Sequence, residues 1–166
     1  MARRWPWLAA SVIAILDRAT KRLIETRVAE WEAIPVVDGF FRIVLTRNTG
    51  VAFSLFADLG AGAGAVVLTV ITAALTLVVA ALLWHACRSA QEPWPLPAAL
   101  ALVLGGAAGN LFDRIAFGSV TDFLDFYAGA HHWPAFNVAD ASITCGAALL
   151  LYDALRHRRC RKTPAV

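Results

Sequence analysis

Charge is scarce in this sequence. Asp, Glu, Lys and Arg make up 16% of its 166 residues, hydrophobic residues 59%, and the mean hydropathy is +0.62. A soluble domain carries about a quarter charged residues, so most of this surface cannot face water. Cysteine is sparse too: Cys87, Cys145 and Cys160 form no close pair and no metal-ligand spacing, which excludes a disulfide framework. No HExxH occurs, so zinc hydrolysis has no support. The glycines lack the spacing of a phosphate-binding loop. No secretory cleavage pattern follows the first apolar run, which is therefore read as retained. The net charge of +3 and pI near 9.1 do not point to nucleic acid, because the basic residues cluster at chain ends and segment flanks, as membrane topology requires.

What is present is apolar length. Crossing hydrocarbon takes about 20 mostly apolar residues as a helix, and four stretches qualify: roughly 5–24, 61–84, 96–115 and 136–155. The expected fold is therefore an all-α integral membrane protein of one domain, residues 1–166, with four transmembrane helices. The first span reaches its length only by including Asp17, Arg18, Lys21 and Arg22. An even number of spans puts both termini on one side. Arg3 and Arg4 precede the first span, Arg88 lies in the 2–3 connection, and Arg156, Arg158, Arg159, Arg161 and Lys162 follow the last. The 1–2 loop is instead rich in Glu and Asp, so both termini are expected in the cytoplasm. His131 and His132 then lie outside, His85 and His157 inside. In the 1–2 loop, Val36-Val37, Asp38-Gly39 and residues 40–45 read as a β-hairpin around a two-residue turn. The hairpin either lies along the outer leaflet or caps the bundle.

Ionised residues within a membrane helix cost about 2.5–3.5 kcal/mol each near its centre, so those present need a reason. Asp17 and Lys21, four apart, share a helix face and can pair, while Arg18 and Arg22 are expected to snorkel outward. Gly105 and Gly109 form a small-xxx-small pair that admits a neighbouring helix. Asn110 and Arg114 share a face, and Arg114 can hold a carboxylate or an incoming chain. Asn137 and Asp140 have capping-box spacing, and a first-turn carboxylate is stabilised as the anion there. Asp122 and Asp125 lie in an apolar segment whose strand-like alternation sets them on opposite faces. One of the two is expected to face Asp140, and spacing does not choose between them. Paired carboxylates in such a place can share a proton and activate a water. A serine–lysine mechanism would have only Ser54 near Lys21, and His131-His132-Trp133 reads as an interfacial belt. The alternative from another class is a small proton-coupled transporter. It would spread polar residues through membrane depth, whereas here they gather at one edge.

Five blocks in order then resemble a known family: residues 17–21 (DRATK), 48–54 (NTGVAFS), 105–114, 120–126 and 136–140 (FNVAD). The chain resembles bacterial lipoprotein signal peptidase, or signal peptidase II, over nearly its whole length. It departs from the family pattern at Arg18, Ala19 and Phe112, which fall between the polar positions. The resemblance implies an aspartic endopeptidase of the inner membrane, with an extracytoplasmic β-cradle and an active site near the outer leaflet. Its substrates would be diacylglyceryl-modified prolipoproteins, cut before the lipidated cysteine, and globomycin-type inhibitors would block it. By position it implies Asp122 and Asp140 as catalytic residues. Asn48, Asn110, Arg114 and Asn137 would position substrate or order the pair, and Asp17 and Lys21 would support them. No metal or cofactor is implied.

Overall fold

The apolar runs of spanning length become helices, and the computed structural model describes them within residues 3–30, 32–50, 61–89 and 93–161. The helices are α1 (Trp5–Arg27), α2 (Ala61–Arg88), α3 (Pro95–Phe117) and α4 (Val138–Arg161). Proline opens α1 and α3, where its missing N–H is one that no helix can satisfy. Gly118, in the left-handed conformation (φ 70°), ends α3 and returns its N–H to the Arg114 carbonyl at 3.1 Å. Among the described residues α2, α3 and α4 are long and apolar enough to cross a membrane. Helix α1 matches α3 in length, 23 residues each, but its second half carries the charges at 17, 18, 21 and 22.

Polarity is inverted relative to a soluble protein. Leu8 and Ile15 of α1, Leu77 of α2, Ile115 of α3 and Leu151 of α4 are all more than half exposed, whereas Asp17, Lys21, Asn110, Asp113, Asp122 and Asn137 are buried. Apolar side chains outward and charges inward suit a hydrocarbon solvent. Helix α3 is central, packing against α1, α2 and α4. Its glycines make this possible. A Cβ on Gly105 would sit 2.7 Å from the Ala10 carbonyl oxygen of α1, and one on Gly109 2.5 Å from the Asp17 carboxylate. A Cβ on Gly106, on another side of α3, would run into the Ala139 carbonyl oxygen of α4. Small residues let backbones approach closely where no hydrophobic force drives helices together.

The expected hairpin proves to be part of a larger sheet of order β1-β2-β3-β4: β1 (Ala33–Val37), β2 (Phe41–Asn48), β3 (Val120–Ala128) and β4 (His131–His132). Strands β1 and β2 are joined through three residues, Asp38 to Phe40, rather than two, with Gly39 at φ 75° and Phe40 N–H bonded to the Val37 carbonyl. Between Ile43 and Thr46 the β2–β3 register shifts, so two β2 residues oppose one of β3. Such a bulge re-aims the strand beyond it and brings Thr46 opposite Asp122.

Candidate active site

Two backbone devices bring Asp122 and Asp140 together. Strand β3 follows directly on the Gly118 stop of α3, carrying Asp122 three residues into it. The segment before α4 then runs antiparallel to β3: Leu124 and Phe136 exchange backbone hydrogen bonds of 2.8 and 3.1 Å, and Phe126 and Phe136 stack at 5.8 Å. The first turn of α4 is thereby docked beside Asp122.

The capping box forms as its spacing predicts. Asp140 N–H donates to Asn137 Oδ1 at 2.9 Å, and Asn137 N–H donates to Asp140 Oδ2 at 3.3 Å. The same Asn137, completely buried, donates through Nδ2 to Asp122 Oδ1 at 2.7 Å. One asparagine therefore holds both carboxylates. Asn110 Nδ2 donates to Asp140 Oδ1 at 2.7 Å, and Asn48 Nδ2 to Asp122 Oδ2 at 3.1 Å. Asn48 is itself fixed by the Gly50 N–H, 2.8 Å from its Oδ1. Burial, and after it the nearby Asp140 carboxylate, pushes the Asp122 carboxyl up to about 6, against the hydrogen bonds from Asn48 and Asn137. Asp125 points elsewhere: burial raises its pKa, but hydrogen bonds from His132 and Arg42 outweigh this and hold it below the usual carboxylate range.

Behind the pair lies a buried polar layer. Lys21 Nζ, with no exposed surface, reaches Asp17 Oδ2 at 2.7 Å, Asp113 Oδ2 at 2.9 Å and Asn110 Oδ1 at 2.9 Å. Its ammonium is thus ion-paired with two carboxylates and hydrogen-bonded to one amide oxygen. Asp17 Oδ1 in turn accepts the Ala139 N–H at 2.9 Å, so α1 caps α4. Arg114 makes no ion pair among the described residues. It donates to its own helix at the Asn110 carbonyl (3.3 Å) and feels the charges of Asp140 and Asp122. With Asn110 and Asp140 it lines a cavity of about 310 Å³ between α2, α3 and α4, whose apolar walls include Leu75, Val79, Val103 and Ile143.

All eight residues singled out from the sequence thus converge. Seven of them (Asp17, Lys21, Asn48, Asn110, Asp122, Asn137 and Asp140) join one hydrogen-bonded network, and Arg114 stands next to it. Four members escaped sequence reasoning: Arg18, Glu25, Asp113 and Thr121. Arg18 does not snorkel outward. It pairs with Glu25 (2.7 Å) and Asp113 (3.2 Å) and lies over the rings of Phe117 and Phe112. The i, i+7 spacing of Arg18 and Glu25, two turns apart on one helix face, was the available signal. His132 pairs with Asp125 rather than with the site. Ser54 and residues 51–53 of the second block lie outside the described residues.

Comparison with known proteins points to one family. The family model described as "Signal peptidase (SPase) II" matches residues 9–156. The chain is similar to the lipoprotein signal peptidase of Solibacter usitatus (strain Ellin6076), 46% identical over 158 residues and covering 94% of each chain. To that of Geobacter sulfurreducens it is 45% identical over 150 residues, covering 90% of each. Among solved structures it is similar to a bacterial membrane enzyme determined by the in meso method at 2.3 Å resolution. The TM-score is 0.79 and the identity 27%, covering 100% of this chain and 99% of the other. A second such enzyme, at 1.9 Å, gives a TM-score of 0.72 and 30% identity, covering 90% and 92%.

Proposed function

The chain belongs to the signal peptidase II family, and from that premise we propose that Asp122 and Asp140 are its catalytic pair. It is an aspartic-type membrane peptidase of lipoprotein processing, and its substrates are prolipoproteins. The single observation that supports the residue assignment is Asn137, which binds one oxygen of each aspartate.

The reaction follows from two carboxylates that hold one proton between them. Asp140, at the N-terminus of α4 and hydrogen-bonded by Asn110 and Asn137, is the seat of the anion. Asp122, with its carboxyl raised to about 6, is the acid. Asp140 takes a proton from a water between them as the oxygen attacks the scissile carbonyl, and Asp122 donates to the carbonyl oxygen. Collapse of the tetrahedral intermediate sends a proton to the leaving amine. This chemistry calls for no metal. The scissile bond precedes a cysteine carrying diacylglycerol. The lipidated cysteine is seated at the cavity between α2, α3 and α4, and Arg114 meets the polar part of the substrate. Globomycin-type inhibitors compete for that ground.

The four helices form one domain in the inner membrane. Helix α1 is the fourth span, since Asp17 and Lys21 are buried against α3 and α4 while Leu8, Val12, Ile15 and Leu23 face outward. Both termini are cytoplasmic, and the sheet and dyad lie at the outer leaflet. The test is cleavage of a lipidated prolipoprotein by purified Asp122→Asn and Asp140→Asn enzymes. Each is expected to lose turnover by about a thousandfold or more while eluting as a folded protein. Near-normal turnover by either overturns the pair.

A further inference from the structure

The two aspartates sit on different elements, one on β3 and one on α4, yet they must meet to within ångströms. Asn137 ties them in front. Behind them, two chains of hydrogen bonds run back to a single guanidinium.

On the Asp122 side, the preceding residue Thr121 donates its hydroxyl to Glu25 Oε1 at 2.8 Å. Glu25 receives both nitrogens of Arg18, at 2.7 and 3.2 Å. On the Asp140 side, Asn110 holds Asp140 and accepts from Lys21, which is paired with Asp113. Asp113 Oδ1 is 3.2 Å from the same Arg18 Nη1 that contacts Glu25. Other contacts bypass Arg18: Thr121 N–H to Asp113 Oδ2 is long at 3.5 Å, and Asn137 Nδ2 lies 3.2 Å from the Thr121 carbonyl oxygen and 3.3 Å from Asn110 Oδ1 while also serving Asp122. Phe117 and Phe112 lie over the guanidinium, and Thr121, Lys21 and Asp113 are fully buried. A charged fork in such surroundings is held in place by its planar, two-sided geometry.

We propose that Arg18 and Glu25 are positioning residues that clasp the Asp122-bearing strand to the Asp140-bearing network. The clasp rests on the dyad assignment above. It acts through Thr121 on one side and Lys21–Asn110 on the other, and it touches neither substrate nor the reacting water. A fork is required, because a lysine ammonium at position 18 is a point charge that cannot reproduce the bidentate grip on Glu25 while holding Asp113. The links are in series, so cutting one makes cutting the next inconsequential.

The experiment is a double-mutant cycle of Arg18→Lys and Thr121→Val on the purified full-length enzyme, with kcat and KM measured for a lipidated prolipoprotein and scaled to folded protein. Each single variant is expected to lose about tenfold in kcat with KM within about twofold, and the double variant to lose about tenfold rather than a hundredfold. Thr121→Ser, which keeps the hydroxyl, restores kcat. Should Arg18→Lys not fold, Glu25→Ala takes its place in the cycle. Asp122→Asn is assayed beside them. If it is active, the dyad itself fails. If it is inactive while the clasp variants keep wild-type kcat, alter KM alone, or lose activity multiplicatively, the clasp is overturned and the dyad stands.

Discussion

At the scale of the residue, Asp122 shows what burial does to a carboxyl. Its carboxyl is carried from 3.8 to about 6, first by burial and then by Asp140. The folded protein therefore binds this proton more tightly than the unfolded chain does. The stability it contributes is complete below 3.8 and is lost as pH rises through about 6. With Asp122 as the acid of the proposed pair, the catalytic consequence has the same sign, because that acid disappears over the same range. We expect kcat/KM to fall as pH rises above about 6. In Asn48→Ala the falling limb is expected to move up by roughly 0.5 in pH, since a lost hydrogen bond to the anion is worth on the order of 1 kcal/mol. A limb that stays put or moves to lower pH would show that another group titrates. Asn137 and Asp140 illustrate how one residue serves two ends. Their spacing alone is explained by helix capping, and the structure has that cap, yet the same side chains also reach Asp122 and Asn110.

At the scale of the element, α3 decides the geometry. Its glycines bring α1 and α4 against its backbone, and Gly118 turns the chain into β3. Gly106 is the sharpest test, because an added Cβ meets the backbone carbonyl of Ala139 and, at 2.8 Å, the side chain of Ile143. Neither a main-chain oxygen nor the first turn of α4 can swing aside like a flexible side chain. Gly106→Ala is therefore expected to cost about 1–3 kcal/mol and to displace Asp140, seen as a lower melting temperature together with reduced kcat. Retention of both values would mean that α3 and α4 separate without consequence for the site. The β2 bulge plays the matching part for Asp122. A regular ladder would set a different β2 residue opposite it, and Asn48 would not reach its carboxylate.

At the scale of the whole molecule, the bundle turns its apolar faces out and gathers the charges Asp17, Lys21, Asp113 and Asp122 inside. The excess of Lys and Arg at the chain ends predicts which way it sits. In a background freed of Cys87, Cys145 and Cys160, a cysteine replacing exposed Asp38 is expected to react with an impermeant maleimide added outside intact cells. One replacing Ser89 is expected to react only after lysis, and the reverse pattern would invert the topology. Much of this was legible in the residues alone. Helices α2, α3 and α4 announce themselves because a hydrocarbon solvent demands long uninterrupted apolar runs. The Asp17–Lys21 pair, the capping box and the small-xxx-small pair are legible because helical spacing is local and fixed. What local spacing cannot express is which faces meet. Alternation separated Asp122 from Asp125 but not which of them joins Asp140, and that depends on the register of β3 with Phe136. Arg18 looked like a snorkelling arginine until Glu25 and Asp113 supplied partners, one of them 95 residues away. The sequence by itself determined the membrane class, the helices and the residue types of a carboxylate pair, because solvent and helical period act on neighbours. The resemblance to a family pointed to Asp122, but only the tertiary structure shows Asn137 bound to both Asp122 and Asp140 and the network behind them, because those contacts join positions whose separation along the chain carries no record of their distance in space.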